Sequence, residues 1–224
     1  MSTQKVLLIR HGETEWSLSG QHTGTTDISL TENGRAVAKL LKPVFVEQTF
    51  ALVLSSPLWR ARQTCDLAGL GDRAEIDHDL VEWNYGEYEG LTPQQIHAVR
   101  PGWIIFTDGC PGGEGPDQIE ARIDRVIARI RAVAPKGSVA VFAHGHLIRA
   151  FAARWLGLRA ADGRFFLLDP ATVNVMSYYR GIPAVKRWNA PINPSSLNFN
   201  SRLAAQSVSG RRTTSQECSP YGYR

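Results

Sequence analysis

Three short apolar runs, Val6-Leu7-Leu8-Ile9, Ala51-Leu52-Val53-Leu54 and Val139-Ala140-Val141-Phe142-Ala143, constrain this chain more than any other feature. None shows the polar alternation of a strand with one wet face, so each reads as a strand covered on both faces. Each also stops abruptly at polar residues: Arg10-His11, Ser55-Ser56-Pro57 and His144. Helical patterns lie between and after them. Thr31 offers an N-cap to a helix through Ala36, Val37, Leu40 and Leu41, and Pro57 can occupy a first helical turn and carry Arg60 one turn in. Ile119, Ile123, Val126, Ile127, Ile130 and Val133 recur at helical spacing, and Arg122, Arg125, Arg129 and Arg131 between them read as a solvated face. Pro135-Lys136-Gly137 breaks this helix, and Leu147, Ile148, Phe151 and Trp155 mark another. Late strands at 172–179 and 184–188 flank a turn at Arg180-Gly181-Ile182-Pro183. The alternation predicts an α/β three-layer sandwich, its mostly parallel central sheet flanked by helices. Such sheets bind ligands at the carboxyl ends of their strands, where the polar residues fall here.

With 224 residues, 43% hydrophobic and 21% charged, the chain has the composition of one globular domain, and no internal repeat divides it. Residues 1–190 are expected to form that domain. From about Pro191 the text turns to Asn, Ser, Gln, Thr, Gly and Arg, so residues 191–224 read as a flexible basic tail. Beyond Asn200, Arg202, Arg211, Arg212 and Arg224 face Glu217 alone, so most of the formal +4 charge lies in the tail. The body is near neutral and lacks a basic stripe interleaved with aromatics, which argues against nucleic acid as a partner. No run approaches the ~20 apolar residues of a membrane helix, and Met1-Ser2-Thr3-Gln4 leads into a strand without a signal-peptide pattern. A cytoplasmic protein with no membrane partner is expected. Cys65, Cys110 and Cys218 share no metal-type spacing and fit free thiols. His22, His78 and His97 stand apart, and His144 with His146 makes only half a metal site, so no metal and no cofactor are expected.

The polar groups at the strand ends suit phosphoryl transfer, which asks for an in-line nucleophile and neutralisation of the phosphoryl oxygens. A neutral imidazole at His11 can attack phosphorus, provided its other nitrogen is held by an acceptor such as a backbone carbonyl near Gly12. Arg10 and Arg60 offer planar forks for phosphate oxygens, and His144, protonated or suitably oriented, offers a third donor. Glu82 lies among Val81, Trp83 and Tyr85, whose burial would disfavour an ionised carboxylate and suit a general acid. Glu87 and Glu89 are in reach of the same role, and Glu13 is a further rival. The loop from Gly20 to Thr31 carries several hydrogen-bonding groups that serve sugar hydroxyls or plain turn chemistry equally well. Trp16, Trp83 and Trp103 are expected to rim the cleft and restrict it to a small ligand.

Four words of this sequence occur together in one known family. Arg10-His11-Gly12-Glu13-Thr14-Glu15-Trp16, Ser56-Pro57-Leu58-Trp59-Arg60-Ala61-Arg62-Gln63-Thr64, Glu82-Trp83-Asn84-Tyr85-Gly86-Glu87-Tyr88-Glu89-Gly90 and Ala143-His144-Gly145-His146 resemble, in order, the signature segments of the histidine phosphatases. This superfamily includes the phosphoglycerate mutases, and the resemblance implies their fold. It also implies His11 as nucleophile, Glu82 as acid then base, and Arg10, Arg60 and His144 around the phosphoryl group. Glu13 would organise the pocket, and Ser17, Gln21, Thr23, Gly24, Tyr85 and Gly145 would contact substrate. Gln21, Thr23, Gly24, the Glu82 to Gly90 segment and Asp108-Gly109-Cys110 look like the small branch with sedoheptulose-1,7-bisphosphatase and acid phosphatases, implying a small phosphate ester of a sugar or sugar acid as the substrate. A homodimer is compatible with this resemblance.

A phosphoglycerate mutase is the alternative enzyme, but about 60 residues separate Glu82 from His144, shorter than the family's mutases carry, so hydrolysis is favoured. A catalytically silent phosphate-binding regulatory module is the alternative outside catalysis, and the presence of every reactive residue argues against it. Cys110-Pro111-Gly112-Gly113-Glu114-Gly115 departs from the family's loop by Gly115 in place of serine, which would remove a hydroxyl near the pocket.

Overall fold

The computed structural model describes residues 5–46, 48–133 and 137–192. The Pro135-Lys136 break, Cys218 and nearly all of the expected tail lie outside these residues. In chain order, β1 (Val6–Arg10) leads to α1 (Glu15–Ser19), α2 (Glu32–Lys39) and α3 (Lys42–Val46). Then come β2 (Phe50–Ser55), α4 (Trp59–Leu67) and β3 (Ala74–Ile76). After α5 (Pro93–Val99), α6 (Ile105–Asp108) and α7 (Pro116–Val133) the chain forms β4 (Ser138–Ala143), α8 (Gly145–Trp155), β5 (Thr172–Tyr179) and β6 (Ile182–Pro191).

The strands form one sheet in the order β3-β2-β4-β1-β5-β6. The first four run parallel, whereas β5 and β6 are antiparallel to their neighbours. Alternation along the buried strands divides the core into two layers. Val6, Leu8, Leu52, Leu54, Val139 and Val141 pack with Ile119, Ile123, Ile127, Ile148 and Phe151 of α7 and α8. Leu7, Ile9, Val53, Ala140 and Phe142 pack on the other face with Leu41, Phe45, Cys65 and Ala68. The result is a three-layer α/β sandwich.

Sheet order positions the site. β4 lies between β1 and β2, so the carboxyl ends of these strands put His11, His144 and Ser56 side by side. The backbone of His11 donates to the Ala143 carbonyl (3.1 Å), and that of Ser56 to the Phe142 carbonyl (3.0 Å).

Several local expectations are corrected. α4 begins at Trp59 with Leu58 as extended N-cap, so Pro57 precedes the helix and Arg60 is its second residue. The Trp59 N–H is capped by Asp27 Oδ1 (2.7 Å), a partner 32 residues distant that local sequence cannot reveal. α2 keeps its Thr31 cap but ends at Lys39, leaving Leu40 half exposed while Leu41 turns into the core. The last hairpin turns on Arg180-Gly181 alone, both at positive φ (52° and 84°), so β6 starts at Ile182. It pairs Pro191 with Thr172, which keeps the first residue of the expected tail in the sheet.

The arginines of α7 do not form one solvated face. Arg125 pairs with Asp79, and Arg129 with Glu75 and Asp77. Arg122 is buried, 6% exposed, and clasps Glu114 through Nε (2.7 Å) and Nη2 (2.8 Å).

Candidate active site

A cleft of about 260 Å³ opens at the carboxyl ends of β1 and β4. Among the residues lining it are Arg10, His11, Ser17, Gln21, Thr23, Glu82, Tyr85 and Gly145. Arg60, His144 and Gly24 do not reach it.

His11 follows β1 directly. Its Nδ1 lies 2.7 Å from the Gly12 carbonyl, and because a carbonyl only accepts, Nδ1 carries the proton and Nε2 keeps its lone pair. Burial, then Arg60 and Arg10, hold its pKa well below the usual histidine value, so the ring is neutral. Gly12 is itself fixed: its N–H donates to Thr64 Oγ1 (3.0 Å), and a Cβ there would meet the Gly34 carbonyl oxygen at 2.7 Å.

Arg10 donates from Nη1 to the Leu168 carbonyl (2.6 Å), and its Nε is buried with no partner among the described residues. Gly145 leaves room beside it, since a Cβ would stand 3.3 Å from Cζ and Nε. A buried donor without an acceptor costs free energy until an oxygen arrives.

Glu82 is 5% exposed, but backbone donors rather than apolar neighbours surround its carboxylate. Oε1 accepts from the N–H groups of Trp83 (2.9 Å) and Leu147 (2.9 Å), and Oε2 from that of His146 (3.0 Å). Two of these donors belong to the first turn of α8, where free N–H groups point outward. This corrects the expectation of an apolar setting. Its rivals are engaged elsewhere. Glu89 accepts from Gly24 and Thr26 N–H, and Glu13 from Thr31 Oγ1 (2.7 Å) and Asn33 (3.1 Å); neither lines the cleft, nor does Glu87.

Arg60, wholly buried, spends its donors on the protein: Nη1 on the Thr26 carbonyl (3.0 Å), Nη2 on those of Thr23 and Gly24 (both 2.9 Å), and Nε on His144 Nδ1 (3.2 Å). Guanidinium Nε can only donate, so His144 Nδ1 accepts and its Nε2–H donates to Ser56 Oγ (2.7 Å). Burial, followed by Arg60, holds this ring neutral. Both side chains therefore stand outside the cleft lining, and of the two alternatives for His144, protonated or suitably oriented, the protonated one does not hold.

On the loop after β1, Ser17 caps α1 reciprocally with Thr14, and Gln21 donates to the Gly90 carbonyl (2.8 Å). Thr23 keeps its place on the lining through a long bond to the Gln21 carbonyl (3.4 Å). A Cβ at Gly24 would strike the Trp83 carbonyl oxygen at 2.7 Å, so that glycine serves close packing. Of the three tryptophans expected at the rim, only Trp16 lines the cleft; Trp83 and Trp103 are buried. Gly115 does not line it either, so its missing hydroxyl lies outside the pocket.

The lining also includes His22 of the Gly20 to Thr31 loop, His146 of the last signature segment, and Arg149, which motif reading passed over. Tyr85 Oη and His146 Nδ1 are 2.6 Å apart, and His22 stacks on Tyr85 with ring centroids 4.6 Å apart. Burial pushes the Tyr85 phenol well above its usual pKa, so it keeps its proton and donates to His146. His22 is lowered to about 4, again chiefly by burial. Arg149 lies over the Phe106 ring at 4.6 Å and donates only to the carbonyls of Gly163 and Arg164 (both 3.3 Å), with no carboxylate ion pair among the described residues. Helical spacing gives the signal, since Arg149 is one turn beyond His146 on the same face of α8. No group of three or more His, Cys, Asp or Glu able to hold a metal occurs among the described residues, and no helix there is long and apolar enough to cross a membrane.

With this geometry in view, comparison with known proteins is specific. The Histidine phosphatase superfamily (branch 1) matches residues 6–191. An acid phosphatase of Mycobacterium tuberculosis is 38% identical over 180 residues, covering 80% of this chain and 88% of its own. Sedoheptulose 1,7-bisphosphatase of Saccharomyces cerevisiae is 40% identical over 186 residues, covering 70% and 69%. A solved structure from Mycobacterium tuberculosis superposes with a TM-score of 0.81 at 35% identity, covering 85% of this chain and 99% of that one.

Proposed function

Because this chain belongs to branch 1 of the histidine phosphatase superfamily and is a phosphatase, we propose that it hydrolyses a small phosphorylated sugar or sugar acid through a phosphohistidine on His11. The observation that carries the assignment is the His11 ring, neutral and tied through Nδ1 to Gly12, with Nε2 free in a cleft shared by Arg10 and Glu82.

The Nε2 lone pair attacks phosphorus as the bond to the leaving oxygen breaks, and Glu82 gives that oxygen a proton. Glu82, now a carboxylate, takes a proton from water, whose oxygen attacks phosphorus and breaks the P–N bond. Inorganic phosphate leaves, and His11 regains its lone pair. The unpartnered Nε–H of Arg10 meets a phosphoryl oxygen throughout.

Substrate size and polarity follow from the lining. The cleft suits a small molecule, and Gln21, Thr23, Tyr85 and His146 offer hydroxyl contacts. Arg149, lacking a carboxylate partner, is placed for a second anionic group such as a sugar acid carboxylate or another phosphate. The name of the sedoheptulose 1,7-bisphosphatase relative supports a phosphorylated sugar, and that of the acid phosphatase supports phosphatase activity. Cys65 and Cys110 are free thiols, which supports a reducing, cytoplasmic setting.

Phosphate release in EDTA across sugar mono- and bisphosphates and phosphoglycerates, set against His11→Ala, tests this reading. Selective release that the variant abolishes is expected. Isomerised phosphoglycerate without release would make the protein a mutase, and silence on both would make it a binding module. Glu82→Gln should slow alkyl esters by about 10²–10⁴-fold and p-nitrophenyl phosphate far less, since that leaving group needs little protonation. Equal losses would sink the acid assignment.

A further inference from the structure

Arg122, on α7, is buried yet outside the cleft, and its guanidinium bonds both the segment that carries Glu82 and the carboxylate of Glu114. Nη1 donates to the carbonyls of Asp79 (2.7 Å) and Val81 (2.8 Å), and Nη2 to that of Glu82 itself (3.1 Å). Nε and Nη2 also grip the Glu114 carboxylate. Glu114 grips the same segment from the other side. Its Oε2 accepts from Asn84 N–H (2.9 Å), its backbone N–H donates to the Asn84 carbonyl (2.9 Å), and its carbonyl accepts from Trp83 Nε1 (2.8 Å). Gly113 and Gly86 let the two loops interlock, because a Cβ on either would collide with backbone of the opposite loop. Residues 79–84 are thus clamped from α7 while the Glu82 carboxylate is docked on α8.

A buried ion pair is weak evidence for stability, because desolvation offsets most of the attraction. Directional grip is a better account of a planar fork spread over the carbonyls of Asp79, Val81 and Glu82 and one carboxylate. We propose that Arg122, with Glu114, is a positioning residue that fixes the Glu82 carboxylate at the leaving oxygen; the proposal rests on the reading of Glu82 as the acid. Proton transfer requires the acid within hydrogen-bond reach, so a shift of well under an ångström at residue 82 weakens that step and leaves phosphate binding at Arg10 intact.

The test uses Arg122→Lys, which keeps the charge and loses the fork. kcat/KM is measured on an alkyl phosphate and on p-nitrophenyl phosphate for wild type, Arg122→Lys, Glu82→Gln and the double variant, with circular dichroism to confirm folding. Arg122→Lys should lower the alkyl ester at least about tenfold more than the aryl ester. The double variant should show the same ester ratio as Glu82→Gln alone, because no positioned acid then remains to be lost. A clamp that only stabilises the fold lowers both esters by one factor, and that result overturns the proposal. Glu114→Gln, which keeps the shape and one acceptor oxygen, is read in the same way and carries the test should Arg122→Lys not fold. If Glu82→Gln itself fails to discriminate between the esters, the acid assignment falls and takes the positioning role with it. If Glu82→Gln discriminates and the clamp variants do not, the clamp alone is refuted.

Discussion

Arg10, at the end of β1, and Arg60, in the first turn of α4 beyond the parallel strand β2, reach the same corner of the molecule, and their surroundings set them apart. Arg10 keeps a buried Nε–H without an acceptor and lines the cleft, whereas Arg60 has spent its donors on three carbonyls and on His144. The contrast extends to their neighbours. His11, Glu82 and Arg10 line the cleft, while Arg60, His144 and the Arg122–Glu114 pair lie outside its lining and bond the loops and strand ends around it. A strand end therefore determines where chemistry can occur. Whether a given side chain takes part depends on how much of its hydrogen-bonding demand the fold has already met.

The largest effect that can break this contrast comes from removing each arginine. Arg60→Met would leave the Gly24 carbonyl and the Nδ1 of His144 buried without donors, at about 1–3 kcal/mol each, and would also free the part-buried carbonyls of Thr23 and Thr26. Denaturant unfolding should show a loss of several kcal/mol, with activity lost largely through the disordered loop. Arg10→Met gives up one carbonyl bond, so stability should change by about 1 kcal/mol while kcat/KM falls about 10²–10³-fold. Equal stability losses in the two variants would erase the distinction between facing and supporting residues.

Acid separates the two layers less drastically. His11, His144 and His146 are held neutral well below the usual value, and His22 is lowered to about 4, each mainly by burial. The unfolded chain takes up these protons near pH 6.5 and the folded chain only at lower pH. Stability is then full above about 6.5 and declines as pH falls, with the His22 share lost between there and about 4. Melting temperature should drop across that window, and His22→Gln should flatten the slope. Catalysis should be less sensitive, since His11 attacks as the neutral ring and stays neutral below pH 6.5; the acid limb of kcat/KM that reports His11 should lie well below 6.5. A limb at 6.5 would mean an ordinary, solvated imidazole.

What the sequence made legible follows the same division. The apolar runs disclosed the buried strands and their order of polar endings, because full burial on both faces leaves a local signature. His11 was legible at the first of those endings, whereas Glu82, which ends no apolar run, was singled out by its neighbours and the family segment. The partnership of Arg60 with the Thr23 to Thr26 carbonyls was not, since it joins residues more than 30 positions apart through backbone atoms that carry no side-chain signal. Arg122 was misplaced for a related reason. On periodicity it is one more polar residue between isoleucines, and only the loop that covers it turns it inward. Arg149 shows the converse: its spacing from His146 puts it on the cleft face of α8, a signal that the motif words do not include.

The smallest effect concerns Gly115, where the family pattern has serine and a pocket role was expected. Here the residue takes the N-cap place of α7, with its N–H on Gln118 Oε1 (2.8 Å) and its carbonyl accepting from Ile119 N–H (3.3 Å). The nearest atom to an added Cβ is Gln118 Oε1 at 3.7 Å, and its φ is not in the left-handed region, so a side chain fits without strain. A serine hydroxyl would take one of the free N–H groups of the first turn. Serine exceeds glycine at such a position by only a few tenths of a kcal/mol, which corresponds to a rise of about 1 °C in Tm for a chain of this size. Gly115→Ser should therefore raise Tm slightly and leave kcat/KM within about twofold for every ester, since the position touches neither the cleft nor the Glu82 carboxylate. A change in substrate preference would return residue 115 to the pocket, and would show that a supporting position one layer back can still select the ligand.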